Sequence, residues 1–232
     1  MNYTILMPCL NEEKTVGLCV KKAKEYLITH ELVGEVLVVD NGSTDQSISE
    51  AKKNGGRVVY CKDPGYGCAL RYGFKKALGD FIIFADCDLS YDFSMLDEFI
   101  KGYQKGYDMV IGNRLQKNME KGAMSFSHRY IGVPFLSFLG RKVYKTDITD
   151  FHCGLRGIRK DRVMELSLHT TGMEFASEMI GAALKSQLKI KQIPILYHKD
   201  LREGPSHLRT IQDGFRHLHF LMKDGFFHLE EK

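Results

Sequence analysis

Apolar residues follow two alternating rhythms along the first half of the chain. Short unbroken runs, YTILMP at 3–8, EVLVVD at 35–40, RVVYC at 57–61, DFIIFAD at 80–86 and DMVIGNR at 108–114, carry little polar alternation. Such runs read as strands covered on both faces. Between them the period changes to that of a helix: Val16, Cys19 or Val20, Ala23 and Leu27 share one face of residues 11–27. Segments 42–53, 65–78 and 93–106 read as further helices, the first entered through the polar turn GSTDQ. Five alternations predict an α/β fold with a mostly parallel central sheet and helices on both faces. In such a sheet ligands collect beyond the carboxyl ends of the strands.

The residues at those ends are polar and acidic. The first strand delivers PCLNEE, the second Asp40 and Asn41, the third Gly65 and Gly67, the fourth Asp86 and Asp88, and the fifth Asn113 and Arg114. Each has an ordinary explanation alone, since acids cap helices and glycines make turns. Their joint placement on one rim points to a nucleotide diphosphate and a metal. Two carboxylates one residue apart in a turn suit a hard cation, Mg2+ or Mn2+, that also binds phosphate oxygens. Asp40 is placed to accept a hydrogen bond from a base or ribose. The chain lacks GxxxxGK[ST], and GYGCAL has only the first two glycines of GxGxxG, so neither a P-loop nor a dinucleotide fingerprint is present.

Composition narrows the class. With 232 residues, 44% of them hydrophobic, the chain can bury the core of one domain, and a net charge of +4 declares no nucleic-acid footprint. Its six cysteines form no CxxC pair and read as reduced thiols of a cytoplasmic protein. The sequence shows no leader pattern after Met1 and no apolar run near the ~18 residues of a membrane span. The greasiest stretch, YIGVPFLSFLG at 130–140, is too short to cross a bilayer but able to lie on one.

Six motifs in order carry a resemblance. MPCLNEEKTV, VVDNGSTD, PGYGCALRYGF, DCDLSY, DFHCGLRGIRKD and REGPSHL resemble the conserved segments of family 2 glycosyltransferases of the GT-A fold, a Rossmann-like α/β domain. They are most similar to those of the branch containing dolichyl-phosphate mannose synthase and related polyprenyl-phosphate glycosyltransferases. The resemblance spans about residues 3–222. It implies inverting, metal-dependent transfer of a sugar from a UDP- or GDP-sugar to a polyprenyl phosphate, dolichyl or undecaprenyl, at a membrane face. Pro8, Leu10, Glu12, Asp40, Gly67, Asp86, Cys87 and Asp88 would then line the nucleotide-sugar site, with Asp86 and Asp88 holding Mg2+ or Mn2+ and Asp88 serving catalysis. Arg156 and Arg202 are candidates for the diphosphate, and Glu174 and Glu178, four apart on one helical face, for the donor sugar. Asp150 is the candidate base or acceptor-orienting group, with a turn cap as its plain alternative.

The acceptor half would be 116–207, after a nucleotide-sugar half at 1–115 and before a C-terminal helix and tail at 208–232. Residues 121–147 are rich in aromatic and aliphatic residues and carry Arg129, Arg141 and Lys142. By resemblance this stretch forms amphipathic helices on the membrane, with Arg129 and Arg141 on the lipid phosphate. In the last helix, Leu208, Ile211, Phe215, Leu218 and Met222 form a stripe expected to pack on the domain. The protein would act as a peripheral enzyme at the cytoplasmic membrane face, alone or with a membrane-anchored partner. Where the branch has lysines, this chain has Glu174 and His207. A family 2 enzyme with a soluble or cell-surface saccharide acceptor is the alternative. From other classes come a sugar-nucleotide nucleotidyltransferase, whose glycine-rich basic N-terminal signature is missing here, and a non-catalytic nucleotide-binding protein, which needs no aspartate pair.

Overall fold

The computed structural model describes residues 2–116, 119–201 and 210–230, with side chains of the last helix described over 212–224. The first half follows the predicted alternation: β1 (Tyr3–Cys9), α1 (Val16–Thr29), β2 (Gly34–Asp40), α2 (Ser47–Lys53), β3 (Arg57–Tyr60), α3 (Tyr66–Lys76), β4 (Phe81–Phe84), α4 (Asp97–Gln104) and β5 (Met109–Asn113). A π-helical turn (His128–Gly132) runs into α5 (Val133–Tyr144). There follow β6 (Arg156–Arg159), α6 (Lys160–Glu165), α7 (Phe175–Lys185), β7 (Ile190–Pro194) and α8 (Thr210–Glu230).

The seven strands form one sheet in the order β3-β2-β1-β4-β6-β5-β7. Phe81, Ile82, Ile83 and Phe84 are all buried although successive side chains point to opposite faces, so helices or loops cover both sides of β4. β3 and β7, at the two edges, are half-buried. All pairings are parallel except those of β6, which is antiparallel to β4 and β5 and separates them. That inserted strand shapes the site. Because it runs backward, its entry, residues 150–155, reaches the same rim as the exits of β4 and β5. Phe84 faces Arg156, and the register carried two residues further sets Asp86 opposite Gly154.

The last helix turns opposite to expectation. Phe215 is 67% exposed and Met222 is 53% exposed, whereas Asp213, His217 and Leu221 are buried. Hydrogen-bonding partners on the body of the protein outweigh the apolar stripe; Leu208 and the side chain of Ile211 lie outside the described residues. Helix α5 is amphipathic, as expected, with its apolar stripe outward. It buries the small Val133, Ser137 and Gly140, while Ile131, Phe135 and Phe138 face outward. A side chain at Gly140 would stand 2.7 Å from the Phe151 ring, so small residues permit this close approach. All six cysteines are free and buried. No helix among the described residues is long and apolar enough to cross a membrane.

Candidate active site

The rim is built from tight, self-bonded turns. After β1, Asn11 adopts a left-handed φ of 54° and its Oδ1 accepts from the Thr44 amide at 2.8 Å. Glu12 is buried; its amide donates to Ser47 Oγ at 2.7 Å and its carboxylate accepts from the Thr15 hydroxyl at 3.1 Å. Asp40 ends β2 and accepts from the amides of Gly42, 3.2 Å, and Ser43, 3.1 Å. Its neighbour Asn41 staples this turn to the exit of β3: Nδ2 donates to Asp63 O and Oδ1 accepts from the Gly65 amide, each at 2.8 Å. Gly65, at φ 124°, and Gly67 start α3 where a Cβ on either would lie 2.3 Å from a carbonyl oxygen of Thr171 or Thr170. The helix therefore enters against the 169–171 segment, and only glycine fits.

The aspartate pair follows β4. Asp88 Oδ1 accepts from the Ser90 amide at 3.0 Å and from its hydroxyl, and Leu89 between them takes a φ of 69°. A leucine in the left-handed region is a local cost held in place by its surroundings, a recurring property of functional turns. Asp86 lies against Gly154, whose added Cβ would stand 3.1 Å from Asp86 Oδ2. Asp86 also hydrogen-bonds the Tyr66 phenol, whose pKa is raised well above its ordinary value by burial and then by this carboxylate. The Leu201 amide donates to Asp88 O at 3.1 Å, so the chain leading into 202–209 crosses this turn. Pro8 lies under the same turn, its carbonyl accepting from Cys87 Sγ at 3.3 Å. The Cys87 thiol thus points into the core rather than toward a ligand.

Other predicted residues are committed to the fold. Arg156 is fully buried, and its guanidinium donates to the carbonyls of Cys153, Ala176 and Phe151 at 2.8–2.9 Å. It clamps the loop entering β6, which corrects its expected place on a diphosphate. Glu178 accepts from the amides of His169, 2.7 Å, and Thr170, 3.0 Å, and so shapes the segment that seats α3. Glu174 pairs with Arg216 of α8 at 3.2 Å. Both carboxylates are thereby engaged by groups of the protein itself. Arg202 lies outside the described residues.

Asp150 is completely buried and grips Arg114 bidentately: Nε to Oδ2 and Nη2 to Oδ1, both 2.8 Å. The amides of Arg114 and His152 add bonds at 3.1 Å. Burial alone raises a carboxyl pKa, but here the Arg114 guanidinium and the two amides prevail and hold Asp150 below its ordinary value. The Arg114 guanidinium also stacks over Tyr197, 5.3 Å from the ring centre. Asn41 and Arg114 stood on the rim in the sequence without an assigned role, and Tyr66 and Tyr197 escape the sequence reading altogether. For Arg114 the available signal was its position just past β5, on the rim.

Arg129 and Arg141 stand at the two ends of the continuous π-turn and α5, twelve residues and therefore roughly 18 Å apart. That separation places them poorly for a shared phosphate. Arg129 stacks on Tyr130 at 5.3 Å, and the neighbouring His128, its pKa lowered by burial and then by Arg114, marks the Arg129 end as the one nearer the rim. Between the arginines, Tyr130, Ile131, Phe135 and Phe138 are exposed, with the Phe126 ring tilted against Tyr130.

The chain and its fold have known relatives. Residues 4–166 match the model of the family "Glycosyl transferase family 2", and the chain belongs to that family. It is 37% identical over 220 residues to the low-salt glycan biosynthesis hexosyltransferase Agl6 of Haloferax volcanii, covering 94% of this chain and 52% of that protein. The chain thus spans about half the length of that relative. It is 26% identical to the dolichol-phosphate mannosyltransferase of Pyrococcus furiosus, covering 96% of this chain and 64% of the relative. Among solved structures, the glucosyl-3-phosphoglycerate synthase of Mycobacterium tuberculosis in complex with Mg2+ and uridine diphosphate superposes with a TM-score of 0.76 at 17% identity, covering 96% of this chain and 79% of the other. The fold is GT-A.

Proposed function

We propose that the protein transfers a hexose from a nucleoside-diphosphate sugar to a polyprenyl phosphate lying in a membrane surface, with inversion at the anomeric carbon. The observation that carries the reading is the outward apolar face of the π-turn and α5, framed by Arg129 and Arg141 and joined to the aspartate rim through Arg114. A helix that hides Val133, Ser137 and Gly140 and exposes Ile131, Phe135 and Phe138 is built for a nonaqueous neighbour. The names of the Haloferax and Pyrococcus relatives, a hexosyltransferase of glycan biosynthesis and a dolichol-phosphate mannosyltransferase, support the donor and acceptor classes.

In this reading Pro8, Leu10, Glu12 and Asp40 hold the nucleoside, and Gly67 opens space at the start of α3. Asp86 and Asp88 hold Mg2+ or Mn2+ beside the diphosphate. No group of three or more His, Cys, Asp or Glu side chains able to hold a metal is assembled among the described residues. A two-carboxylate donor set fits these cations, which keep the remaining positions for phosphate and water. When bound, the ion neutralises charge on the departing nucleoside diphosphate. An oxygen of the lipid phosphate forms the new bond to the anomeric carbon as the bond to the diphosphate oxygen breaks. A phosphate monoester arrives ionised, so no strong base is needed. Asp150, both oxygens occupied, acts by fixing Arg114, which meets the acceptor phosphate together with Arg129.

Two binding measurements test the halves separately. Calorimetry is expected to show uridine or guanosine diphosphate binding in the presence of Mn2+ and much weaker binding in excess chelator; binding of neither nucleotide overturns the donor reading. Flotation with anionic vesicles is expected to recover the protein. Ile131→Ser with Phe135→Ser is expected to weaken that partitioning about tenfold or more, because each side chain is worth about 1.5–3 kcal/mol when fully buried. Unchanged flotation of the double variant contradicts the membrane face.

A further inference from the structure

We infer that Ser177 and the two histidines it bridges, His152 and His217, couple the seating of α8 to the acceptor side of the site, with His217 a positioning residue for the transfer proposed above. The connection is continuous. Asp150, locked on Arg114, accepts from the His152 amide at 3.1 Å. The His152 ring leaves the rim and places Nε2 3.3 Å from Ser177 Oγ on α7. The same hydroxyl lies 2.8 Å from Nδ1 of His217 on α8. The two rings meet edge to face with centres 4.5 Å apart.

One hydroxyl proton serves two ring nitrogens, and that links their tautomers. The neutral form is favoured in both rings: burial and then Arg156 and Arg216 lower the pKa of His217 to about 4, and burial, then His217 and the nearby arginines, lower that of His152 well below its ordinary value. If Ser177 donates to His217 Nδ1, then His152 Nε2 must donate to Ser177, leaving His152 Nδ1 an acceptor. If His217 Nδ1 donates, the Ser177 proton is free to turn to His152 Nε2, and His152 Nδ1 then becomes a donor. The hydrogen state of His217 on α8 therefore biases that of a ring on the site loop. His152 Nδ1 is buried and has no hydrogen-bond partner among the described residues, so the relay ends on an unspent polar atom two residues from Asp150.

The way α8 is held fits this role. Its inward face carries Asp213 and His217 beside Leu221, while Phe215 and Met222 point out. Contacts on either side of His217 are ionic or polar as well: Arg216 with Glu174 at 3.2 Å, and Asp224 with Lys185 at 2.6 Å and the Tyr144 hydroxyl. A helix docked by directed polar contacts is either in register or loses them together. His217 lies at the centre of that set.

The test separates positioning from plain structure. His217→Phe keeps the ring and removes the hydrogen bond; His217→Asn restores a polar atom near the Nδ1 position. With transfer as readout, His217→Phe is expected to lower kcat about tenfold to a hundredfold while the Kd for nucleoside diphosphate with Mn2+ stays within about twofold, since the nucleoside-binding elements lie on β1 to β4. His217→Asn is expected to recover most of the loss. Independently of activity, nitrogen NMR of the imidazoles is expected to show one neutral tautomer of His152 in the wild type and a shift toward a mixture in His217→Phe and in Ser177→Ala. A wild-type kcat in His217→Phe, or His152 resonances unmoved by both variants, overturns the coupling. Absence of any sugar transfer by the wild type would instead defeat the proposed function, and the NMR comparison would still decide the coupling.

Discussion

Asp88→Asn is expected to lower sugar transfer about a thousandfold and to leave the melting temperature within a few degrees of wild type. The two outcomes separate because the carboxylate has two duties. Its Oδ1 accepts from the amide and hydroxyl of Ser90, and an asparagine oxygen can keep both bonds, so the turn with Leu89 at φ 69° survives. Lost is the second negative charge that, in the proposed reading, would hold a divalent cation together with Asp86. Lewis-acid stabilisation of a departing diphosphate is worth several kcal/mol, and about 1.4 kcal/mol is a factor of ten. Calorimetry should show the same variant binding nucleotide with little dependence on Mn2+. Transfer at the wild-type rate would remove Asp88 from catalysis.

Arg114→Met is expected to be the most destabilising single change at the rim, by about 3–5 kcal/mol, because it strands Asp150 as an uncompensated charge in the core. The pair is bidentate, at 2.8 Å on both arms, and Asp150 is completely buried. The pH dependence has a defined sign. The folded-state pKa of Asp150 is depressed below its ordinary 3.8, so the pair's contribution is fully present above that value and is lost as the pH falls through the folded-state pKa. The stability gap between wild type and Arg114→Met should therefore narrow in acid. The double variant Arg114→Met, Asp150→Leu replaces an ion pair by apolar contact and is expected to recover most of the stability, since such exchanges are often neutral. It should still fail to transfer sugar. Denaturant titration reads the first effect and turnover the second. A double variant that regains both would reduce Arg114 to a structural residue.

The parts of this architecture that were readable beforehand are those whose cause is local. β1, β2, β4 and β5 are buried on both faces, so their residues had to be apolar without alternation, and the period change into α1 needed only Val16, Val20, Ala23 and Leu27. The placement of Asp40, Asp86 and Asp88 at strand exits was legible because a parallel sheet fixes where those exits go. β6 was not. Its sequence, RGIR, is short and half basic, and Arg156 is buried only because three carbonyls distant in the chain or across the loop meet its guanidinium. The same limit explains Glu178, whose partners His169 and Thr170 are supplied by the loop before its own helix. The inward face of α8 was not legible for a related reason. Periodicity identifies which residues share a stripe, but partners elsewhere decide which stripe turns inward, here Ser177 opposite His217. The grip of Arg114 on Asp150 spans 36 residues and follows from the reversed strand alone.

The rim and the exposed face of α5 would serve one reaction only if the lipid phosphate reaches the donor sugar. The direct measurement is transfer of radiolabelled hexose from UDP- and GDP-sugars, with Mn2+, to polyprenyl phosphate in anionic vesicles and, in parallel, to soluble saccharides. The account predicts label in the organic-extractable lipid, carried as a hexosyl phosphodiester, with at least one donor and none in excess chelator. Label appearing only in soluble saccharide, or in lipid at full rate without metal, would contradict it.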